Sequence, residues 1–176
     1  MVKARIWSYL TLILDRKEGI VMPLRKLKEF LETHKIKYKM ISHPEVFTAQ
    51  EIAATTHIPG KELAKTVIVK IDNKMTMAVL PASYRVDFDL LKKAAGAKRV
   101  ELASEQEFKD MFPDCELGAM PPFGNLYGME VFVAESLAEG EQIAFNAGSH
   151  TELIRVSYKD FEAHVKPKVL RFSSKP

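Results

Sequence analysis

Hydrophobic residues recur at helical spacing near residue 24. Leu24, Leu27, Phe30 and Leu31 fall on one face of a helix, with charged residues between them. The pattern predicts an amphipathic helix over residues 23–33. Further helix starts are predicted where a side chain can accept a hydrogen bond from a free backbone N–H of the first turn. These starts are capping boxes at Thr48 and Ser104, and single caps at Asp87 and Ser157.

Segments rich in β-branched and other apolar residues predict strands. They are residues 37–41, 66–71, 75–80, 98–102, 130–134, 142–146 and 153–156. Residues 72–74 predict a hairpin turn because Asn73 tolerates a positive φ. Helices and strands alternate without a regular βαβ rhythm, so the expected fold is a single mixed α/β (α+β) domain.

The two ends of the chain differ from its middle. Residues 6–14 are apolar, but they are too short to cross a membrane and are followed by charged residues where a signal peptide would be cleaved. We hypothesise that Met22 is the natural start and that residues 1–21 are a non-native extension; the alternative is an element that packs on the domain. The domain is then expected over residues 22–165, with residues 166–176 as a loose basic tail.

Composition excludes several classes. The chain has 176 residues, 47% of them hydrophobic, which excludes collagen-like and disordered proteins. The single cysteine, Cys115, cannot form an internal disulfide, which fits a reducing cytoplasm. A net charge of +3 permits contact with a polyanion but is far from the density of a protein that coats DNA. We therefore expect a cytoplasmic protein that binds neither membrane nor DNA.

The common catalytic motifs do not occur in the sequence. There is no Gly-x-Ser-x-Gly elbow, no Walker loop, no Gly-x-Gly-x-x-Gly after a strand and no His-Glu-x-x-His. We expect neither a metal nor a cofactor, and we interpret Cys115 as a buried, inert thiol. The candidate functional segments are instead loops: residues 42–48, residues 63–66, where Lys65 opens an apolar strand, and the Gly- and Pro-rich residues 118–125, with residues 148–150 as their partner.

Short motifs over residues 22–162 together resemble one known family. They are His43-Pro44, Ala64-Lys65-Thr66-Val67-Ile68-Val69, Leu80-Pro81, Arg85-Val86-Asp87, Gly118-Ala119-Met120-Pro121-Pro122-Phe123-Gly124 and Asn146-Ala147-Gly148. This set is similar to the YbaK/ProX family of trans-editing aminoacyl-tRNA deacylases, relatives of the editing domain of bacterial prolyl-tRNA synthetases. The resemblance implies a curved, barrel-like mixed sheet flanked by helices, and hydrolysis of the ester between a wrong amino acid and tRNA.

The resemblance also assigns two catalytic residues. Lys65 matches the essential lysine, whose ammonium can hold the ester carbonyl or the phosphate and ribose of the terminal adenosine. Gly118 is the better candidate for a backbone N–H donor to the oxyanion. Gly118 and Pro122 keep the family spacing, whereas the closing glycine comes one place early, at Gly124. Without the resemblance, the alternative interpretation is that Lys65 is a solvated residue at a strand end and that residues 118–124 form a structural turn.

The expected substrate-binding residues lie in the same loops. They are His43, Phe47, Thr66, Met120, Pro122, Gly124, Gly148 and Ser149. For some of them a structural role is the alternative: a satisfied strand-end histidine for His43, core residues for Phe47 and Met120, and a hairpin glycine for Gly148. His150 has no role that the resemblance supplies.

Without a catalytic triad, we expect water to attack the ester with help from the ribose hydroxyl of the substrate, and no covalent intermediate. The expected partners are aminoacyl-tRNA and, as a second candidate, an aminoacyl-tRNA synthetase. Five basic residues are candidates for binding the acceptor stem: Lys61, Lys92, Lys93, Lys98 and Arg99. Two other functions stay open: a non-catalytic module that binds tRNA or nucleotides, and a hydrolase of another small ester or amide. The sequence leaves the amino acid that is removed open.

Overall fold

The predicted helices and strands occur in their predicted order, and the structure adds a short helix at residues 135–138 and strands at residues 85–86, 168–170 and 173–174. The computed structural model describes residues 22–46 and 48–176; the proposed extension, residues 1–21, lies outside them. The helices are α1 (Met22–Thr33), α2 (Ala49–Thr56), α3 (Phe88–Ala95), α4 (Glu105–Phe108), α5 (Glu135–Ala138) and α6 (Tyr158–Val165). The strands are β1 (Tyr38–Ser42), β2 (Ala64–Ile71), β3 (Lys74–Pro81), β4 (Arg85–Val86), β5 (Val100–Leu102), β6 (Glu130–Ala134), β7 (Gln142–Asn146), β8 (Glu152–Ser157), β9 (Lys168–Leu170) and β10 (Ser173–Ser174).

The strands form two main sheets. The larger has the order β5-β2-β3-β6-β9, with β6 parallel to both β3 and β9. The smaller is antiparallel, in the order β1-β8-β7. A parallel bridge between Leu63 and Ala144 joins them, and the Ala144 N–H donates to the Glu62 carbonyl at 2.9 Å. The expected mixed α/β class, with a mixed sheet and flanking helices, is confirmed; the sheet is not closed into a barrel.

Local sequence accounts for the element boundaries. The Thr48 side chain accepts from the N–H of Glu51, whose carboxylate accepts from the Thr48 N–H, so the predicted capping box forms. Asp72 and Asn73 take φ values of 48° and 68° in the β2–β3 hairpin turn. The strand predicted over residues 98–102 is shorter than expected. The N–H groups of Lys98 and Arg99 donate to the Asp72 carboxylate instead of to a neighbouring strand.

Apolar side chains fill the space between the sheets and the helices. Leu27 and Leu31 of α1 and Phe161 of α6 are completely buried in the larger core cluster. On the other face of the five-stranded sheet, Leu91 of α3 and Phe172 are completely buried in a second cluster. The five-stranded sheet is therefore packed between two apolar clusters, one on each face, which hold β2 in position.

The prediction of a loose tail from residue 166 is wrong. Strand β9 pairs with β6, and β10 pairs with β4. The side chain of Phe172 is completely buried, and its carbonyl accepts a hydrogen bond from the Asp87 N–H at 2.8 Å. The segment was predicted to be loose because its composition is basic. One buried aromatic residue and two short strands give only a weak sequence signal for an ordered segment.

Candidate active site

A cavity of about 280 Å³ opens where the two sheets meet. It is formed by the start of β2, the segment after β3, the end of β7, helix α2 and two loops. We call it the Lys65 cavity, and its lining residues are Ile52, Leu63, Ala64, Lys65, Ala82, Gly118, Asn146 and His150. The fold therefore brings together Lys65 and Gly118, the two residues that the sequence analysis assigned to catalysis.

Lys65 is half-buried at the second position of β2. Burial lowers the pKa of its ammonium, because a charge is less well solvated in the cavity wall than in water. The neighbouring Arg85 guanidinium lowers the pKa further by repulsion between like charges. The cavity is therefore electropositive at this wall and suited to an anionic or strongly polarised oxygen.

Gly118 lies in a loop that hydrogen bonds hold in place. The N–H of Glu116 donates to the carbonyl of Gly148, and the N–H of Gly148 donates to the carbonyl of Ala119, both at 2.9 Å. Gly118 has a φ of +83°, a conformation that side chains with a β-carbon rarely adopt. Its own N–H has no acceptor among the described residues. Gly118 thus combines a place in the cavity wall with a backbone N–H that has no partner in the described part of the chain.

His150 packs against this loop and lines the same cavity. Its Nε2 is 2.8 Å from the carbonyl oxygen of Leu117, and its backbone N–H donates to the Glu116 carboxylate at 2.7 Å. The sequence predicts residues 148–150 as the partner of the Gly- and Pro-rich loop but supplies no role for His150 itself. The two segments are in contact, and the ring of His150 contacts the Gly118 loop (residues 116–120).

Asn146 is a second lining residue that the sequence analysis did not select for its side chain. It ends β7, and its Oδ1 is buried without a hydrogen-bond partner among the described residues. A buried amide oxygen without a partner costs free energy, so Asn146 in the cavity wall is a candidate hydrogen-bond acceptor for a ligand.

Three other predicted residues lie near the loop that carries His150. The His43 N–H donates to the Thr151 carbonyl at 2.9 Å, and the Nε2 atom of His43 is buried without a partner in the described part of the chain. Ser149 places its hydroxyl 3.3 Å from that of Thr151. Gly148 joins the two loops through its backbone and has a φ of +96°. Their role in binding substrate stays a prediction.

The remaining predicted residues are not among those that line the Lys65 cavity, or they lie outside the described residues. Met120 is buried in the core and lines a different cavity of about 290 Å³. Pro122 and Thr66 are buried, and neither is among the cavity-lining residues. Gly124 has a packing role, since a β-carbon there would lie 2.5 Å from Val131 Cγ2. Phe47 lies outside the described residues.

Residues 22–46 and 48–176 contain no group of three or more His, Cys, Asp or Glu residues that could hold a metal ion. Within the same range, no helix has the length and apolar character to cross a membrane. Burial raises the pKa of the Cys115 thiol, which disfavours the reactive thiolate.

Comparison with known proteins adds to this geometry. Residues 43–163 match the aminoacyl-tRNA editing domain family. Among curated relatives, the proline–tRNA ligase of Bacillus cereus (strain AH187) is 26% identical over 98 residues, which are 56% of this chain and 17% of the ligase. This chain therefore corresponds to about a sixth of that relative.

Two solved structures share the fold. Hypothetical protein APE2540 superposes with a TM-score of 0.75 at 20% identity, over 85% of this chain and 99% of its own. The structure described as a "putative trans-editing enzyme for prolyl tRNA synthetase" superposes with a TM-score of 0.75 at 18% identity, over 86% of this chain and 97% of its own. The family match spans more than half of the chain, and the protein belongs to the aminoacyl-tRNA editing domain family.

Proposed function

We propose that this protein is a deacylase that hydrolyses, in trans, the ester bond between a wrong amino acid and tRNA. The observation that carries the proposal is that the Lys65 ammonium and the Gly118 loop line one cavity in a member of the editing domain family. The substrate is an aminoacyl-tRNA, and a synthetase is a candidate partner for its delivery.

The size of the cavity favours a small aminoacyl group. At about 280 Å³, it lies at the lower end of the roughly 300–1,000 Å³ of sites for drug-sized ligands. A single methylene gives only about 1–3 kcal/mol of discrimination, so a pocket of this kind selects by excluding larger side chains. Ile52 and Leu63 supply the apolar part of its wall.

The chemistry assigned to the cavity needs no protein nucleophile. The Lys65 ammonium holds the ester carbonyl or the terminal adenosine, and the free Gly118 N–H donates to the oxygen that becomes negative as water attacks. The buried Asn146 Oδ1 is an acceptor for the α-ammonium of the aminoacyl group. The ribose hydroxyl of the substrate assists the attacking water, so that proximity supplies much of the rate increase.

The test is release of amino acid from a panel of charged tRNAs. It compares the wild type, Lys65→Ala and the control Lys74→Ala. Lys74 begins β3, whose other end pairs with the start of β2, so it lies roughly 20 Å along the strand from the cavity. We expect release by the wild type and by Lys74→Ala, and none by Lys65→Ala.

Two results would contradict the proposal. Binding of charged tRNA without release of amino acid would identify a non-catalytic module. Release that is equally fast in Lys65→Ala would remove Lys65 from the reaction.

A further inference from the structure

The C-terminal segment lies outside the part of the chain that matches the family. The match ends at residue 163, whereas β9 and β10 span residues 168–174. Phe172 anchors this segment in the core under the five-stranded sheet. Its fixed position means that the charges it carries are held at a defined place on the surface.

That place is close to the Lys65 cavity. Ala82 lines the cavity, and β4 begins three residues later, at Arg85. Strand β10 pairs with β4, so that Ser174 lies opposite Arg85. We call this two-stranded unit the C-terminal ribbon. The next residue, Lys175, has its Nζ 5.8 Å from the centre of the Tyr84 ring.

The C-terminal segment is positively charged, and the basic residues at the ribbon, Arg85 and Lys175, have no acidic partner among the described residues. Residues 166–176 contain four basic residues and no acidic one. Arg85 and Lys175 are exposed, and neither has a carboxylate within ion-pair distance in the described part of the chain. By contrast, Lys168 on the same segment pairs with Glu130. The Arg85 charge also reaches the cavity, since it contributes to the lowered pKa of Lys65.

These exposed cations lie beside a cavity proposed to hold an aminoacyl ester, and they have no carboxylate partners within the described ranges. Such cations suit the phosphate groups at the end of a nucleic acid. The ester of aminoacyl-tRNA is attached to the last nucleotide, so phosphates must follow directly outside the cavity. We propose that the C-terminal ribbon binds the phosphate backbone of the RNA 3′ end through Arg85 and Lys175. This inference rests on the proposed function for the identity of the ligand.

The test measures binding, so that it does not depend on hydrolysis. The probe is an uncharged RNA hairpin with a single-stranded 3′ end, titrated with the full chain at several salt concentrations. The variants are Arg85→Gln and Lys175→Gln. The control is Lys159→Gln, which removes the same charge from an exposed position on α6.

Each phosphate contact to a single strand contributes about 0.7 to the slope of log K against log salt concentration. We therefore expect each ribbon variant to bind about fivefold more weakly at 0.1 M salt, with a slope smaller by about 0.7. Lys175→Arg keeps the affinity, Lys175→Glu loses more than Lys175→Gln, and Lys159→Gln matches the wild type. Melting curves establish that each variant is folded.

Three outcomes would overturn the inference: wild-type affinity and slope in both ribbon variants, an equal loss in Lys159→Gln, or a wild type that does not bind the hairpin. Failure of the proposed function gives a different result from failure of this inference. If the proposed function fails, charged tRNA is not hydrolysed, whereas loss of RNA affinity confined to the ribbon variants still supports the ribbon as the binding surface.

Discussion

His150 packs against the α-carbon of Gly118. A β-carbon built on the glycine would lie 3.6 Å from Cε1 of the histidine, and the Nε2 of His150 is 2.8 Å from the carbonyl oxygen of the preceding Leu117. The histidine thereby supports the loop, and both residues line the same cavity. The backbone conformation at Gly118 is therefore held by the contact with His150 as well as by its own φ.

Gly118→Ala should lower both stability and activity. The contact distance of 3.6 Å is ordinary, so the cost comes from the φ of +83°, about 1–2 kcal/mol for a residue with a β-carbon. If relief of this strain turns the N–H away from the cavity, hydrolysis falls by about 10²–10³-fold. Denaturant unfolding and single-turnover deacylation measure the two effects.

The matched control is Gly96→Ala. Gly96 has a φ of +63° at the end of α3 and nothing within 4 Å of a β-carbon. It should lose similar stability and keep its activity. Equal losses of activity in the two variants would remove Gly118 from the reaction.

Lys65→Met should be more stable than the wild type at neutral pH. Burial and Arg85 lower the pKa of Lys65 in the folded protein, so folding disfavours its charged form. This penalty is present in full below the folded pKa and disappears as the pH rises towards the ordinary lysine value. The advantage of the variant should therefore shrink as the pH rises, in unfolding curves recorded between pH 7 and about 10. A difference in the free energy of unfolding between Lys65→Met and the wild type that is independent of pH would mean that the Lys65 side chain is not desolvated.

Gly124→Ala should destabilise the fold. A β-carbon at this position would lie 2.5 Å from Val131 Cγ2 and 2.6 Å from the Met129 carbonyl oxygen, too close for either to remain in place. Overpacking of this kind costs about 1–3 kcal/mol. Gly60→Ala has nothing within 4 Å and should leave the free energy of unfolding nearly unchanged. Wild-type stability in Gly124→Ala would show that the loop can shift freely.

Phe172→Ala should reveal how firmly the C-terminal segment is held. The side chain is completely buried, and removing a buried phenylalanine typically costs about 3–5 kcal/mol. Phe88, 36% exposed on α3, serves as the control, and Phe88→Ala should cost much less. A small loss for Phe172→Ala in denaturant unfolding would restore the interpretation of a loose tail.

Local sequence predicted most of the fold because its signals act over a few residues. The capping box at Thr48 and the turn at Asn73 require only neighbours along the chain. The C-terminal strands could not be predicted in this way. Their stability depends on pairing with β4 and β6 and on burial of Phe172, which are tertiary contacts.

The site divides in the same manner. Lys65 and Gly118 could be selected from motifs, and the fold places them in one cavity. Asn146 and His150 enter that cavity because the smaller sheet meets the start of β2, which no local pattern encodes. Gly124 was selected from the same loop motif, but its steric surroundings give it a packing role.

The bridge between Leu63 and Ala144 lies at the wall of the cavity, since Leu63 is one of the lining residues. Apart from it, no strand of the smaller sheet pairs with a strand of the larger one in the part of the chain described. Because the bridge sets the spacing of the two sheets at this point, a substitution at Ala144 should change the width of the cavity without changing Lys65 or Gly118. Under the proposed function, substitutions at this bridge are a route by which the excluded amino acid changes while Lys65 and Gly118 are preserved.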